Sequence, residues 1–295
     1  MRAPVVAGVD GSPASLVAAA HAAEAALRRE VPLDLVHGYL HAFRYGVPLD
    51  PYPVQLPPPD PDAQLMLDAA AEELRASRPG LEVRTRQVAG GGAGALVDAS
   101  RSATLVVVGS RGHGGFAGLL LGSVGAQVAA HAQCPALVVR PPSPPPPTGE
   151  GPIIVGVDGS HGAARALAYA AREARLRRTG LLLVHAWWLD ARDGGVRETF
   201  AETEKAARAA AEELLDGAAA AVRETHPEVP VRRQLVHARE AAPHLVEASR
   251  DAALIVVGSR GRGGFTGLLL GSVSQELVHH AHCPVLVTHE RDDAR

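Results

Sequence analysis

Residues 109–124 read GSRGHGGFAGLLLGSV, and residues 258–273 read GSRGRGGFTGLLLGSV. The two stretches differ only at His113/Arg262 and Ala117/Thr266. A repeat this close makes the chain two copies of one unit and limits the fold to one that tandem duplication can build. The repeat extends along the chain. Residues 7–12 (AGVDGS) match 155–160 (VGVDGS) at an offset of 148, and Val36-His37 match Val184-His185 at the same offset. Residues 96–110 match 245–259 at an offset of 149. Between the copies lies PPSPPPP at 141–147, which favours an extended, semi-rigid spacer. The expected organisation is one domain over 1–140, a proline-rich linker over 141–150 and a second domain over 151–295.

Each copy of the glycine stretch follows an apolar β-branched run, LVVVGS or LIVVGS, and opens into a helix-like apolar segment. The rest of the first copy alternates in the same way. Strands are expected at 5–9, 33–37, 82–88, 105–108 and 136–140, and helices at 14–29, 63–77, 93–101 and 123–131. Residues 47–62 carry many prolines and read as an irregular excursion. Strands alternating with helices imply an α/β fold with a parallel sheet and helices on both faces. Ligands in such sheets sit beyond the carboxyl ends of the strands, where strand order reverses.

Composition excludes several classes. The net charge of −3 is spread along the chain, with no basic footprint for nucleic acid. Aromatic residues make up 3%, too few for a stacking platform along a single strand. Cys134 and Cys283 occupy matching places without any CxxC, which suits a reduced, cytoplasmic protein. The chain enters its first strand directly, so no leader is expected. The run 116–139 is uncharged and long enough to mimic a membrane span. Gly122, Ser123, Gln127, His131 and Pro135 divide it into loop, helix and strand, so no membrane role is expected.

A strand, a glycine loop and a helix start can hold phosphate with backbone N–H groups and the helix dipole. Gly109, Gly112 and Gly122, with Gly258, Gly261 and Gly271 in the second copy, are read as positions of positive φ or of close phosphate approach. Ser123 and Ser272 are read as helix N-caps facing the anion. The competing reading is a tight structural turn with an ordinary cap. Asp10 and Asp158 end the first strand of each copy. Each can accept hydrogen bonds from ribose hydroxyls or act as an Asx-turn acceptor at the next helix. Arg111 and Arg260 can pair with phosphate or stand solvated in the loop.

Other motifs fail. A Walker A loop needs a lysine beside the phosphates, and the only lysine, Lys205, lies in an Ala/Glu-rich helical pattern. The G-x-G-x-x-A at 112–117 follows the fourth strand, with no acidic residue about 20 positions on, so it is no dinucleotide fingerprint. His279, His280, His282 and Cys283 suggest a metal cluster. The first copy keeps only His131 and Cys134, and the cysteines read better as small buried residues before the last strand, leaving no expected metal site. No nucleophile, base and orienter set stands out, so no catalytic residue is assigned.

The pattern G-x2-G-x9-G-[S/T], here Gly109-Gly112-Gly122-Ser123 and Gly258-Gly261-Gly271-Ser272, accompanies VGVDGS on the first strand. Together they resemble the universal stress protein family in its tandem two-domain form. The resemblance implies two flavodoxin-like or Rossmann-like domains, each a five-stranded parallel sheet of order 3-2-1-4-5. It implies ATP as ligand, carried with Mg²⁺, up to two per chain. Asp10 and Asp158 would hold ribose, and the backbones of Val36 and Val184 would meet adenine. Arg111, Arg260, the loop glycines, Ser123 with Val124, and Ser272 with Val273 would hold the phosphates. Gly8 and Gly156 would let the nucleotide lie close to the first strand. It also implies pairing through the edge of the fifth strand, within one chain or as a homodimer. The copies diverge after the third strand, VAGGGAGAL against LVHAREAAPHL, so no residue is carried over there. The expected function is a nucleotide-dependent stress or dormancy regulator that holds ATP without strong catalysis. A slow ATPase or autophosphorylating enzyme, and a scaffold with purely structural loops, are the competing readings.

Overall fold

The computed structural model describes residues 2–39, 58–112, 121–140, 151–189, 197–261 and 269–289, with backbone only at 197–200. The proline-rich stretch 141–147, most of the excursion at 47–62, and the loop positions His113, Ala117, Arg262 and Thr266 lie outside them. The chain divides into two compact units, Met1–Pro145 and Pro146–Arg295.

Unit 1 runs β1 (Val5–Gly8), α1 (Pro13–Arg29), β2 (Leu33–Gly38), α2 (Pro61–Ser77), β3 (Val83–Val88), α3 (Gly92–Ser100), β4 (Leu105–Gly109), α4 (Ser123–His131) and β5 (Ala136–Val139). Its strands are parallel in the order β3-β2-β1-β4-β5. Unit 2 runs β6 (Ile153–Gly156), α5 (His161–Arg177), β7 (Leu181–Trp187), α6 (Arg197–Thr225), β8 (Val231–His237), α7 (Ala242–Ala248), one 3₁₀ turn (Ser249–Asp251), β9 (Leu254–Gly258), α8 (Ser272–His280) and β10 (Val285–Thr288). It repeats the order as β8-β7-β6-β9-β10. The expected 3-2-1-4-5 sheet is therefore present in each unit.

The central strands β1, β4, β6 and β9 read as continuous apolar runs because both faces are covered. Val5, Val6 and Ala7 of β1 and Val106 and Val107 of β4 are fully buried. Leu33, Leu35 and Leu105 are buried too, each worth roughly 1.5–3 kcal/mol of apolar transfer. α1 meets the sheet with alanines, Ala18, Ala22 and Ala26, whose short side chains let the helix approach closely. Ser12 caps α1, its Oγ accepting the Ser15 N–H at 3.2 Å, with Pro13 opening the helix. Ser160 does the same for α5 through the Ala163 N–H at 3.1 Å. α2 starts two residues before the expected Ala63, because Asp60 caps it through the Asp62 N–H at 3.0 Å and Pro61 suits the first helical position. α6 ends at Thr225, before His226-Pro227, as the proline requires. No helix among the described residues is long and apolar enough to cross a membrane.

This topology makes β1 and β4 neighbours, and likewise β6 and β9. The loop leaving β1 and the loop leaving β4 therefore emerge side by side at the carboxyl ends, where strand order reverses.

Candidate functional site

The first wall of the site is an Asx turn. Gly11 and Gly159 take φ of 81° and 76°, a left-handed bend that turns the chain from strand to helix. The bend brings the Ser12 N–H to Asp10 Oδ1 at 3.0 Å and the Ser12 hydroxyl to the same oxygen at 2.6 Å. The Ser160 N–H reaches Asp158 Oδ1 at 2.9 Å. One carboxylate oxygen thus fixes the turn. The other, Oδ2, points across to the neighbouring loop. A side-chain carbon on Gly112 would collide with Asp10 Oδ2, and one on Gly261 would sit 2.5 Å from Asp158 Oδ2. The turn-acceptor reading of both aspartates is met by Oδ1, and Oδ2 is left facing the loop after the fourth strand of each unit.

The second wall is the loop after the fourth strand. The Gly122 N–H donates to Ser110 O at 2.7 Å, and the Gly271 N–H to Ser259 O at 2.7 Å, closing each glycine loop at its base. The structure corrects two expectations here. Gly109, Gly112, Gly122, Gly258, Gly261 and Gly271 do not adopt positive φ. At Gly109, Gly112, Gly258 and Gly261 crowding leaves no room for a side chain, whereas Gly122 and Gly271 have only ordinary contacts. A Cβ on Gly109 would lie 2.8 Å from the Ala14 carbonyl, and one on Gly258 would lie 2.8 Å from the Gly162 carbonyl, so these two seat the first helix against the sheet. Gly112 and Gly261 make room for the aspartate. Ser123 and Ser272 are not N-caps. Gly122 and Gly271 hold those places, and the serines are the first helical residues, exposed.

The reason the cap moves is chemical. A glycine N-cap leaves the first N–H groups of the helix without a side-chain acceptor, and none is made in either copy. The first intrahelical bonds start from Ala126 and Gln275. The amides of Ser123 and Val124, and of Ser272 and Val273, lie ahead of them at the positive end of the dipole.

In unit 2 these walls enclose a cleft of about 400 Å³. Asp158, Arg260 and Gly261 line one end with Ser272 and Val273. Val184, Ala186 and Leu245 give the other end an apolar lining. Val184 O already accepts the Val157 N–H at 2.9 Å, and Val36 O accepts the Val9 N–H at 3.0 Å, so each carbonyl keeps one lone pair for a ligand. Gly156 borders the cleft. A Cβ on Gly8 would meet Leu96 Cδ1 of α3 at 2.6 Å.

His37 and His185 are backbone-bonded. Their Nδ1–H groups donate to Val9 O at 2.8 Å and Val157 O at 2.6 Å, which fixes the tautomer and holds the first loop to the second strand. In unit 1, burial and the nearby Arg111 guanidinium push the Arg140 pKa below its ordinary value, so two cations share the end of β4 and β5. His280 Nε2 lies 3.7 Å from Glu276 Oε1, and the His282 N–H donates to Ser249 Oγ. Cys283 is buried before β10, which pushes its thiol up to about 12.

Sequence reasoning missed Gly162 and Ser274. A side chain at Gly162 would collide with Arg260 O, so that glycine shapes the loop from the helix side. Ser274 Oγ donates to Gly258 O at 2.6 Å, tying the first turn of α8 to the end of β9. Their signal was present in the alignment of the copies, where Ala14 and Gly125 stand at the same positions.

Comparison with known proteins agrees with this architecture. The model of the Universal stress protein family matches residues 1–140 and again 151–289. The universal stress protein Rv2623 of Mycobacterium tuberculosis is 37% identical over 293 residues, covering 97% of this chain and 96% of that protein. Rv2005c of the same organism is 38% identical over 292 residues, covering 97% of each. The crystal structure of a universal stress protein from Archaeoglobus fulgidus superposes with a TM-score of 0.67 over 99% of this chain and 97% of that one. At 19% identity it speaks for the fold alone. The chain belongs to the universal stress protein family, as two tandem domains of that fold.

Proposed function

We propose that the chain is an ATP-holding universal stress protein, in which bound nucleotide sets the state that a stress or dormancy response reads. One observation carries this reading. The unit 2 cleft places a carboxylate oxygen of Asp158 opposite the uncapped first turn of α8, with an apolar lining beyond. An adenine nucleotide has the matching parts: ribose hydroxyls to donate to Asp158, phosphates to accept from the Ser272 and Val273 amides, and a flat base for the lining of Val184, Ala186 and Leu245. Arg260 adds a cation on the phosphate side. Mg²⁺ would arrive with the phosphates.

Holding without turnover is favoured by the residues at hand. The cleft contains no lysine, and its histidine, His185, is tied to Val157 O. The alternative, slow phosphoryl transfer, rests on Arg260, since a guanidinium can stabilise charge developing on a transferred phosphoryl group. Its test is phosphate release in a single-turnover assay, lost in Arg260→Ala. For the main reading, the test is to denature purified protein and identify the released nucleotide. ATP at up to one molecule per unit supports it, and no nucleotide, with none bound on titration, favours a structural scaffold.

Association through the fifth strands belongs to the same proposal, within one chain or as a homodimer. β5 (ALVV) and β10 (VLVT) end the strand order of their own units and are apolar except for Thr288, a composition that an exposed edge rarely carries. Two buried thiols, at Cys134 and Cys283, suit a reducing, cytoplasmic setting.

A further inference from the structure

We infer that the two units are not equivalent binders, and that unit 2 holds nucleotide tightly while unit 1 is closed at its base end. The inference rests on the nucleotide reading above and adds which site is filled. The deciding position is the end of the second strand. In unit 2 it is Ala186, which is partly exposed and lines the cleft. In unit 1 it is Gly38, which is buried. A Cβ on Gly38 would lie 2.7 Å from Gly90 O, 2.8 Å from Gly92 N and 2.9 Å from Gly92 Cα. The triglycine turn after β3 therefore lies directly on the end of β2, in the place where unit 2 leaves room for a ligand. Gly90 reaches that path with φ of 142°, open to glycine and rarely to other residues. Unit 2 has Arg239-Glu240-Ala241 after β8, and Ala241 stands back as part of the cleft lining.

A second difference points the same way. Ser274 Oγ holds the first turn of α8 to Gly258 O, so the amides that face phosphate are fixed before ligand arrives. Unit 1 has Gly125 there, with no hydroxyl to make the bond. Binding in unit 1 has to lift the triglycine turn and uses an α4 first turn without that tether, and both lower its affinity.

The test uses the full chain. Calorimetric titration with Mg·ATP counts the sites. Photolabelling with an azido-adenine ATP at substoichiometric concentration, followed by peptide mapping, locates them. The expected result is one tight site per chain, with label displaced by ATP and confined to residues 151–289. Ser274→Gly weakens that site about 5-fold, the size of one hydrogen bond, and Ser274→Thr retains it. Two sites of equal affinity, or label mainly within residues 1–140, overturns the inference while leaving the nucleotide reading intact. No binding and no ATP-displaceable label overturns both.

Discussion

Asp158 joins the fold and the proposed site in one residue. Oδ1 holds the turn that starts α5, and Oδ2 faces Gly261. The roles can be separated, because asparagine keeps one carbonyl oxygen and loses the second carboxylate oxygen. Asp158→Asn is expected to leave the melting temperature unchanged and to weaken ATP binding about 10-fold, read by calorimetry beside thermal unfolding. A second residue tests the physical account of the sheet. Asp34 of β2 is raised above its ordinary pKa by burial, against the opposing pull of Arg84 and Arg86. Its Oδ1 is buried without a hydrogen-bond partner among the described residues. A carboxyl with a raised folded pKa binds its proton more tightly when folded, so its ionised form costs stability above that pKa. Unit 2 has Leu182 at this place. Asp34→Leu should raise the melting temperature of unit 1 by about 2–4 °C at neutral pH. The gain should shrink as pH falls through the folded pKa and Asp34 takes up its proton. Aspartate on an interior strand position was legible in the sequence. Its lack of a partner was not, because that depends on where Arg84 and Arg86 point.

At the scale of elements, most of the architecture was readable. Strand and helix periodicity, Ser12-Pro13, Ser160 and His226-Pro227 fixed the boundaries through chemistry that acts within a few residues. What was not readable depended on contacts between elements. Gly109 appears in sequence as a phosphate-loop glycine, and its close approach to the carbonyl of Ala14 in α1 shows only in the fold. Gly8 appears as a ligand-facing glycine, and its close approach to Leu96 of α3 shows only in the fold. The α1/α5 pair shows similar divergence. Arg177 of α5 is buried and paired with Glu173 at 3.0 Å. Arg29 of α1 keeps the arginine but faces Ala25, and donates to its carbonyl at 3.1 Å instead. Removing one partner of a buried pair leaves a charge without compensation. Glu173→Ala is expected to destabilise unit 2 by about 3–5 kcal/mol in chemical unfolding. Replacing Glu173 and Arg177 together by leucine and methionine should recover most of that loss.

The whole molecule is a duplication whose halves have kept one glycine loop, the proposed phosphate cradle, and diverged around it. The loops after β4 and β9 retain nearly the same sequence, whereas the turns after β3 and β8 share little. That contrast was visible in the sequence, but its consequence needed the packing of Gly38 against Gly90 and Gly92. The central claim is that a backbone cradle and a facing aspartate hold ATP, with glycine at 112 and 261 keeping the two apart. The most direct measurement is ATP affinity of the full chain beside a Gly112→Val/Gly261→Val double variant of matched circular dichroism and oligomeric state. The account predicts saturable ATP binding by the parent chain, weakened at least about 100-fold in the double variant by side chains driven into Asp10 and Asp158. Equal affinity of parent and double variant, or no binding by the parent at about 1 mM ATP, would contradict it.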